Sequence, residues 1–308
     1  MLARLQQCLC LLWLVLLSTW LWWGGTAADW PLFAAGLAVL CGGHAAVLAL
    51  EFCWMHQVNR TDAAPRASWR QVCRAWWAES RHAPQVFCWQ QPFNSQRFQD
   101  RTSAPGRRGV LLVHGFVCNR GLWNPWLQSL QAAGHPVIAV NLEPVFGSIN
   151  DYASCIDRAV QTLIQGTGLA PVVVAHSMGG LAVRCWWALP GNAHRIRHLI
   201  TLGTPHQGTR LARWALPRNA REMRERSAWL QALHRAEPVE HARRMTCYYS
   251  HCDNIVFPAS NATWPDADNR HLEGVAHVAM VWRPEPQQEL LRHLGDGSVS
   301  PAGSARRA

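Results

Sequence analysis

Residues Pro171-Val172-Val173-Val174 form a short apolar run, rich in β-branched side chains, that leads directly into Ala175-His176-Ser177-Met178-Gly179. Gly180-Leu181-Ala182-Val183-Arg184-Cys185-Trp186-Trp187 follows at helical spacing. The pattern is a buried strand, a tight turn and a helix, with a serine on the turn. A serine hydroxyl is a poor nucleophile unless it stands clear of the sheet, near a base and beside backbone N–H donors. A strand-to-helix turn meets those conditions, and it requires small residues where the two elements approach each other. Ala175 and Gly179, two before and two after the serine, fill those places, the first with one methyl more than the glycine usual there.

Here the chain resembles the α/β-hydrolase superfamily, and within it bacterial lipases and esterases with Ala-His-Ser-Met-Gly at the nucleophile turn. Three further stretches carry the resemblance in order. Val110-Leu111-Leu112-Val113 reads as a buried strand and ends on His114-Gly115-Phe116. In the family this turn gives one oxyanion donor, which falls on the backbone N–H of Phe116; the second falls on the N–H of Met178. Such donors lower an acyl-transfer barrier by about 2.7–4 kcal/mol each. The stretch from His198 through Gly203-Thr204-Pro205 to Gly208 is similar to the strand and loop after the nucleophile helix. It receives no catalytic residue, and His206 reads as a hydrogen-bonded bystander.

Met245-Thr246-Cys247-Tyr248-Tyr249-Ser250 has strand composition and delivers Asp253 before Ile255-Val256-Phe257-Pro258. The resemblance makes Asp253 the acid. Asp266 and Asp268 rival it by chain order, but they lie in a polar turn. His277 follows the last strand, where the family places its general base, whereas His271 falls inside that strand. The order Ser177, Asp253, His277 is that of α/β-hydrolases and differs from those of the other serine-hydrolase folds. Taken singly, a serine after a strand is commonly a helix cap, an aspartate near a turn is turn chemistry and a buried histidine is a satisfied core group. The four elements in the correct sequence carry the reading. The resemblance implies ester hydrolysis through an acyl-enzyme, with no organic cofactor and no metal. Cys247 and Cys252 beside His251 lack the second ligand pair of a zinc site.

Between Leu5 and Ala28 there is no Asp, Glu, Lys or Arg, and again none between Trp30 and Leu50. Runs of that length can cross a hydrocarbon core of about 30 Å. Trp20, Trp22, Trp23 and Trp30 flank the short connection, where indoles favour the membrane interface. The expectation is a transmembrane hairpin over 1–58, with spans near 5–28 and 30–54. A cleaved leader ending at Thr26-Ala27-Ala28, or tryptophan-rich helices of a soluble core, are the alternatives. Arg4 precedes the first run, and Arg60, Arg66, Arg70 and Arg74 follow the second. Both ends are then cytoplasmic, on a multi-pass protein of a bacterial inner membrane, although a periplasmic domain is compatible. Of eleven cysteines, Cys8, Cys10, Cys41 and Cys53 lie in or beside the spans, and the other seven, spread without paired spacing, fit reduced thiols.

All 29 basic residues are arginine. Residues 59–308 hold 28 of them against 17 of the 19 acidic residues, a net charge of +11 (28 minus 17). A basic domain beside a membrane is drawn to anionic headgroups; no motif points to nucleic acid. The expected partners are the membrane and a lipid or small-molecule ester. Acyl transfer, thioester cleavage and non-catalytic binding on the same fold remain alternatives.

Residues 59–84 read as a linker and an amphipathic helix, 85–294 as the hydrolase domain, 217–238 as a possible lid and 295–308 as a disordered tail. Strands are expected near 86–90, 110–113, 136–140, 171–175, 197–203, 244–250 and 270–274. Helices are expected near 122–133, 151–165, 178–189 and 277–294. That alternation predicts an α/β fold, a mainly parallel sheet with helices on both faces, behind the hairpin.

Overall fold

The protein is described by a computed structural model covering residues 1–24, 26 and 29–295. The expected tail over 295–308 thus falls, beyond Gly295, outside the described residues. Two long helices open the chain, α1 (Leu2–Gly24) and α2 (Trp30–Val58). Both are long and apolar enough to cross a membrane by length and composition. They run antiparallel: the Trp13 indole N–H donates to Leu40 O and that of Trp20 to Phe33 O, each at 3.0 Å. Asp29 caps α2 by accepting from the Leu32 N–H, with Pro31 in its first turn.

Helix α3 (Trp69–Pro84) starts on a capping box formed by Ser68 and Gln71. It does not end at Pro84. The chain continues through a wider π-type turn, Gln85–Gln90, into the short α4 (Gln91–Phe93). The strand expected over 86–90 is therefore helical. Val86, Phe87 and Trp89 have strand composition, but the helical path arriving from α3 carries them on through the wider turn.

A six-stranded sheet follows: β1 (Val110–Val113), β2 (Val137–Ala139), β3 (Val172–His176), β4 (His198–Leu202), β5 (Met245–Tyr249) and β6 (Asp268–His271). Their spatial order is β2-β1-β3-β4-β5-β6, and every pairing is parallel. Strands β1 to β4 are buried along their whole length, which explains why they read as continuous apolar runs without alternation. The remaining helices are α5 (Asn124–Ala132), α6 (Ala153–Thr167), α7 (Met178–Trp187), α8 (Arg218–Glu222), α9 (Ala228–Ala236) and α10 (Pro284–Gly295).

One face of the sheet, with Val110, Leu112, Val172, Val174 and Ile200, packs against Trp123, Trp126 and Leu127 at α5 and Leu290 and Leu294 of α10. Phe52, Met55 and Val58 of α2 belong to this same core. The end of the second apolar helix is thus built into the domain. The other face, with Leu111, Val113, Val173, Ala175 and Leu199, packs against α6 and α7 and against Leu230 and Leu233 of α9. The segment 217–238 expected as a lid lies on this side, with Ala220, Met223, Leu230 and Leu233 buried. Because all strands are parallel, the loops after their C-terminal ends converge on one edge. The sheet order reverses between β1 and β3, which opens a crevice at that edge.

Candidate active site

Ser177 stands at the end of β3 with φ 55° and ψ −130°, a conformation that side-chain-bearing residues rarely adopt. Its neighbours hold it there. The Ser177 N–H donates to Leu202 O at 2.8 Å, and its own carbonyl accepts from the Thr204 hydroxyl at 2.9 Å. Helix α7 leaves so close to β1 that a Cβ on Gly179 would lie 2.5 Å from His114 O and 2.7 Å from Val113 O. This is the close approach for which the sequence pattern reserves glycine.

The turn after β1 lies against the serine. A Cβ on Gly115 would sit 2.7 Å from Ser177 Cβ and 3.3 Å from its Oγ. His114 fixes the turn: its Nδ1–H donates to Gly115 O at 2.9 Å, and its Nε2 accepts from the Leu142 N–H at 3.0 Å. Burial lowers its pKa to about 4, so the ring is neutral, as that pairing requires. Val117 has φ 53°, a second strained residue in the same turn. Phe116 meets the ring of Phe146 edge-on at 6.0 Å, and Met178 is buried at the start of α7.

Asp253 and His277 come together directly. The loop after β5 curls so that Asp253 Oδ1 accepts the N–H groups of Ile255 and Val256 at 2.9 and 2.8 Å. Its Oδ2 is left for His277 Nδ1, 2.9 Å away, and both side chains are buried. Since the carboxylate can only accept, Nδ1 carries the proton and Nε2 offers a lone pair. Gly203, with φ 55°, passes so close that a Cβ would be 2.8 Å from Asp253 Oδ2 and 3.0 Å from His277 Nδ1. It follows Leu202, whose carbonyl holds Ser177, so the serine's anchor and the residue packed against Asp253 and His277 are neighbours in the chain.

Burial opposes a charge on His277, but the Coulombic attraction and hydrogen bond of Asp253, with Glu79 and Glu51, outweigh it and raise its pKa above the ordinary value of 6.5. The backbone of His277 is held on both sides: its N–H donates to Asn254 Oδ1 at 3.4 Å and its carbonyl pairs with His176 Nε2 at 3.1 Å. His176 itself is kept neutral by burial, with the His277 charge adding to the effect.

The rival residues lie elsewhere. Asp268 is exposed and paired with Arg270, and Asp266 has the positive φ of a turn residue. His206 is buried between the Arg184 guanidinium and the Thr201 hydroxyl, a bystander held in a structural network. His271 ends β6, its ring 4.5 Å from that of His251. Among the described residues, His198, Glu289 and His293 bring potential metal-ligand atoms within 4.8 Å of one another. Glu289 already accepts from Arg270 and Arg292, which leaves little charge for a cation.

Glu79, Glu51, Asn254, His176 and Gly203 surround the pair and escaped the sequence reading. Only Glu79 had a usable signal. It falls three residues after Trp76 and seven after Val72, on the face of α3 that turns inward.

The family model described as the alpha/beta hydrolase fold matches residues 109–297. Among solved structures, the lipase BlEst2 of Bacillus licheniformis in its mature form superposes with a TM-score of 0.54 at 16% identity, covering 62% of this chain and 94% of that one. Its propeptide form gives 0.51 at 16% identity, over 67% of this chain and 53% of that one. At such identity the likeness is one of fold. A comparison with curated proteins gives no match.

Proposed function

Because the chain belongs to the α/β-hydrolase family, we propose that it is a membrane-tethered serine hydrolase that cleaves carboxylic esters of lipid or acyl type. The observation that carries this reading is the buried 2.9 Å contact between His277 Nδ1 and Asp253 Oδ2, at the same sheet edge as the strained Ser177. His277 Nε2 removes the proton from Ser177 Oγ as the oxygen attacks the ester carbonyl. Asp253 holds the imidazole tautomer and stabilises its charged form. The N–H groups of Phe116 and Met178 receive the oxyanion, and His277 returns the proton to the leaving alcohol. Water then attacks the acyl-enzyme by the same route. In the test, full-length protein in membranes is treated with a fluorophosphonate probe beside Ser177→Ala, followed by a chain-length series of esters. Labelling of the wild type alone is expected; equal labelling of Ser177→Ala would refute the nucleophile.

The tether is the α1–α2 hairpin. Helix α1 is fastened to the domain as far as Cys10, through Gln6 to Gln91 and Gln7 to Pro92 O. Helix α2 is fastened from His44 onward, through His44 to Ser80 O and the Trp76 indole to Ala45 O. Residues 11–24 and 30–43 stand free, about 21 Å at 1.5 Å per residue. That is short of a hydrocarbon core of roughly 30 Å. The exposed Trp77, Trp89 and Phe93, where the domain grips the hairpin, make up the difference by lying in the near interface. Arginines at both hairpin ends put the domain on the cytoplasmic side. A water-soluble maleimide applied to opened membranes separates these levels. Variants keeping only Cys41, or carrying a single cysteine at Trp89→Cys, are expected to be protected, and one keeping only Cys73 to react.

A further inference from the structure

Two carboxylates from the N-terminal helices, outside the family-matched residues 109–297, reach the loops that carry the acid and the base. Glu79 of α3 accepts the N–H of Val278 at 2.9 Å with one oxygen and that of Ala279 at 3.2 Å with the other. These are the two residues after His277, the first turn of the 3-10 helix Val278–Trp282. Donors at such a terminus have no partner within the helix, and a carboxylate satisfies two at once. Glu51 of α2 accepts from Asn254 Nδ2 at 3.0 Å, and Asn254 Oδ1 in turn takes the His277 N–H. The base loop is therefore clamped from α3 directly and from α2 through one asparagine.

We propose that Glu79 is a positioning residue for His277, and that residues 51–79 are a working part of the catalytic site in addition to leading from its anchor; this rests on the assignment of His277 as the base. Capping alone does not explain the choice of residue. A neutral glutamine of the same length would accept from one of these donors without placing a charge in a fully buried position, which is costly unless that charge is used. The charge is used on His277. Asp253 from the β5 loop bonds its ring and the His176 ring of β3 lies 4.6 Å away, while Glu79 from α3 and Glu51 from α2 add their charges, and His114 acts on His176. The three acids favour the imidazolium formed during attack, and the two histidines are kept neutral by burial. Burial also raises Glu79 itself to a pKa of about 7, so the clamp is sensitive to conditions near neutrality.

The test uses full-length protein in membranes and reads the rate at which the fluorophosphonate labels Ser177 from pH 5 to 9, with kcat and KM on a short p-nitrophenyl ester. Glu79→Gln keeps the size, removes the charge and turns an amide N–H₂ toward backbone donors. At pH 8 its labelling rate and kcat are expected to fall on the order of 10–100-fold, as for a displacement of up to 1 Å, while KM changes less than twofold. Loss of the negative charge lowers the His277 pKa, so the acid limb of the profile moves to lower pH. Glu79→Asp keeps the charge and is expected to recover part of the rate and the wild-type midpoint. A folded Glu79→Gln protein with a wild-type rate and an unmoved midpoint would overturn the proposal. If that variant does not fold, the Asp variant decides: slowed labelling at unchanged KM supports the clamp, and a wild-type rate overturns it. Absence of labelling in the wild type would remove the triad reading itself, an outcome distinct from any loss confined to the variants.

Discussion

Gly115→Ala tests the geometry between the proposed oxyanion turn and the proposed nucleophile, Ser177, more sharply than removal of either. Gly115 does not adopt the left-handed backbone reserved for glycine, so the substitution adds a methyl without adding a forbidden φ. That methyl would sit 2.7 Å from Ser177 Cβ, whereas carbon atoms in contact prefer about 3.5–4.0 Å. The turn or the serine must therefore retreat by about 1 Å. Neither is the free end of a flexible side chain: Ser177 is fixed by Leu202 O and Thr204, and the turn by His114. A 1 Å error in an attacking group or its oxyanion donor is worth about 100-fold in rate, about 2.7 kcal/mol of barrier. Overpacking of this kind costs about 1–3 kcal/mol of stability, which the domain should survive. The variant is expected to melt a few degrees lower and remain folded at 25 °C, with kcat on a short ester reduced about 100-fold. Because the triad side chains are all present, slow fluorophosphonate labelling should persist. A folded variant with kcat within threefold of wild type would refute the idea that Gly115 and Ser177 define the reacting position.

Much of this edge of the molecule is legible in the sequence because each candidate group sits directly past a strand that has to be buried. Val110–Val113 and Val172–His176 are covered on both faces, so they appear as uninterrupted apolar runs, and the glycine and serine after them are where the chain must turn. The proposed acid and base, Asp253 and His277, follow from chain order once those turns are fixed, and the fold brings their side chains to 2.9 Å. The run 86–90 misleads because β-branched and aromatic residues fit a half-buried helix as well as a strand, and the arriving helix decides between them. Burial of apolar helices is equally ambiguous. Phe52 and Met55 would read the same against lipid as against the sheet core they occupy. The charged segment 217–238 looks solvated, yet Glu222 accepts from Ser148 and the Ile149 N–H, and Glu237 is buried on Arg184. The periodicity of α3 marks Glu79 as inward-facing, but its partner Val278, nearly two hundred residues away, leaves no trace in local composition.

Asp253→Asn keeps the shape of the acid but reverses the tautomer offered by His277; kcat is expected to fall about 10⁴-fold, and a loss under tenfold would remove Asp253 from its role. As the proposed base His277 must be neutral to act, and its pKa is raised above the ordinary 6.5, so kcat/KM is expected to decline as pH falls through a midpoint above 6.5, with His176 contributing nothing because burial keeps it neutral. A midpoint below 6.5 would contradict that sign. Arg184→Met probes the buried support of α7, the helix that follows Ser177. Arg184 is fully enclosed; it makes two bonds to Glu237, meets His206 Nδ1 at 2.9 Å and lies 3.8 Å over the Trp264 ring. Removing it strands the Glu237 carboxylate in the interior, a loss of about 3–5 kcal/mol, visible as a large fall in the denaturation midpoint. Most of that loss is the cost of an unpaired charge rather than of a missing attraction, so Arg184→Met combined with Glu237→Gln should regain more than half of it. A double variant no more stable than the single one would mean that the guanidinium acts chiefly through His206 and Trp264.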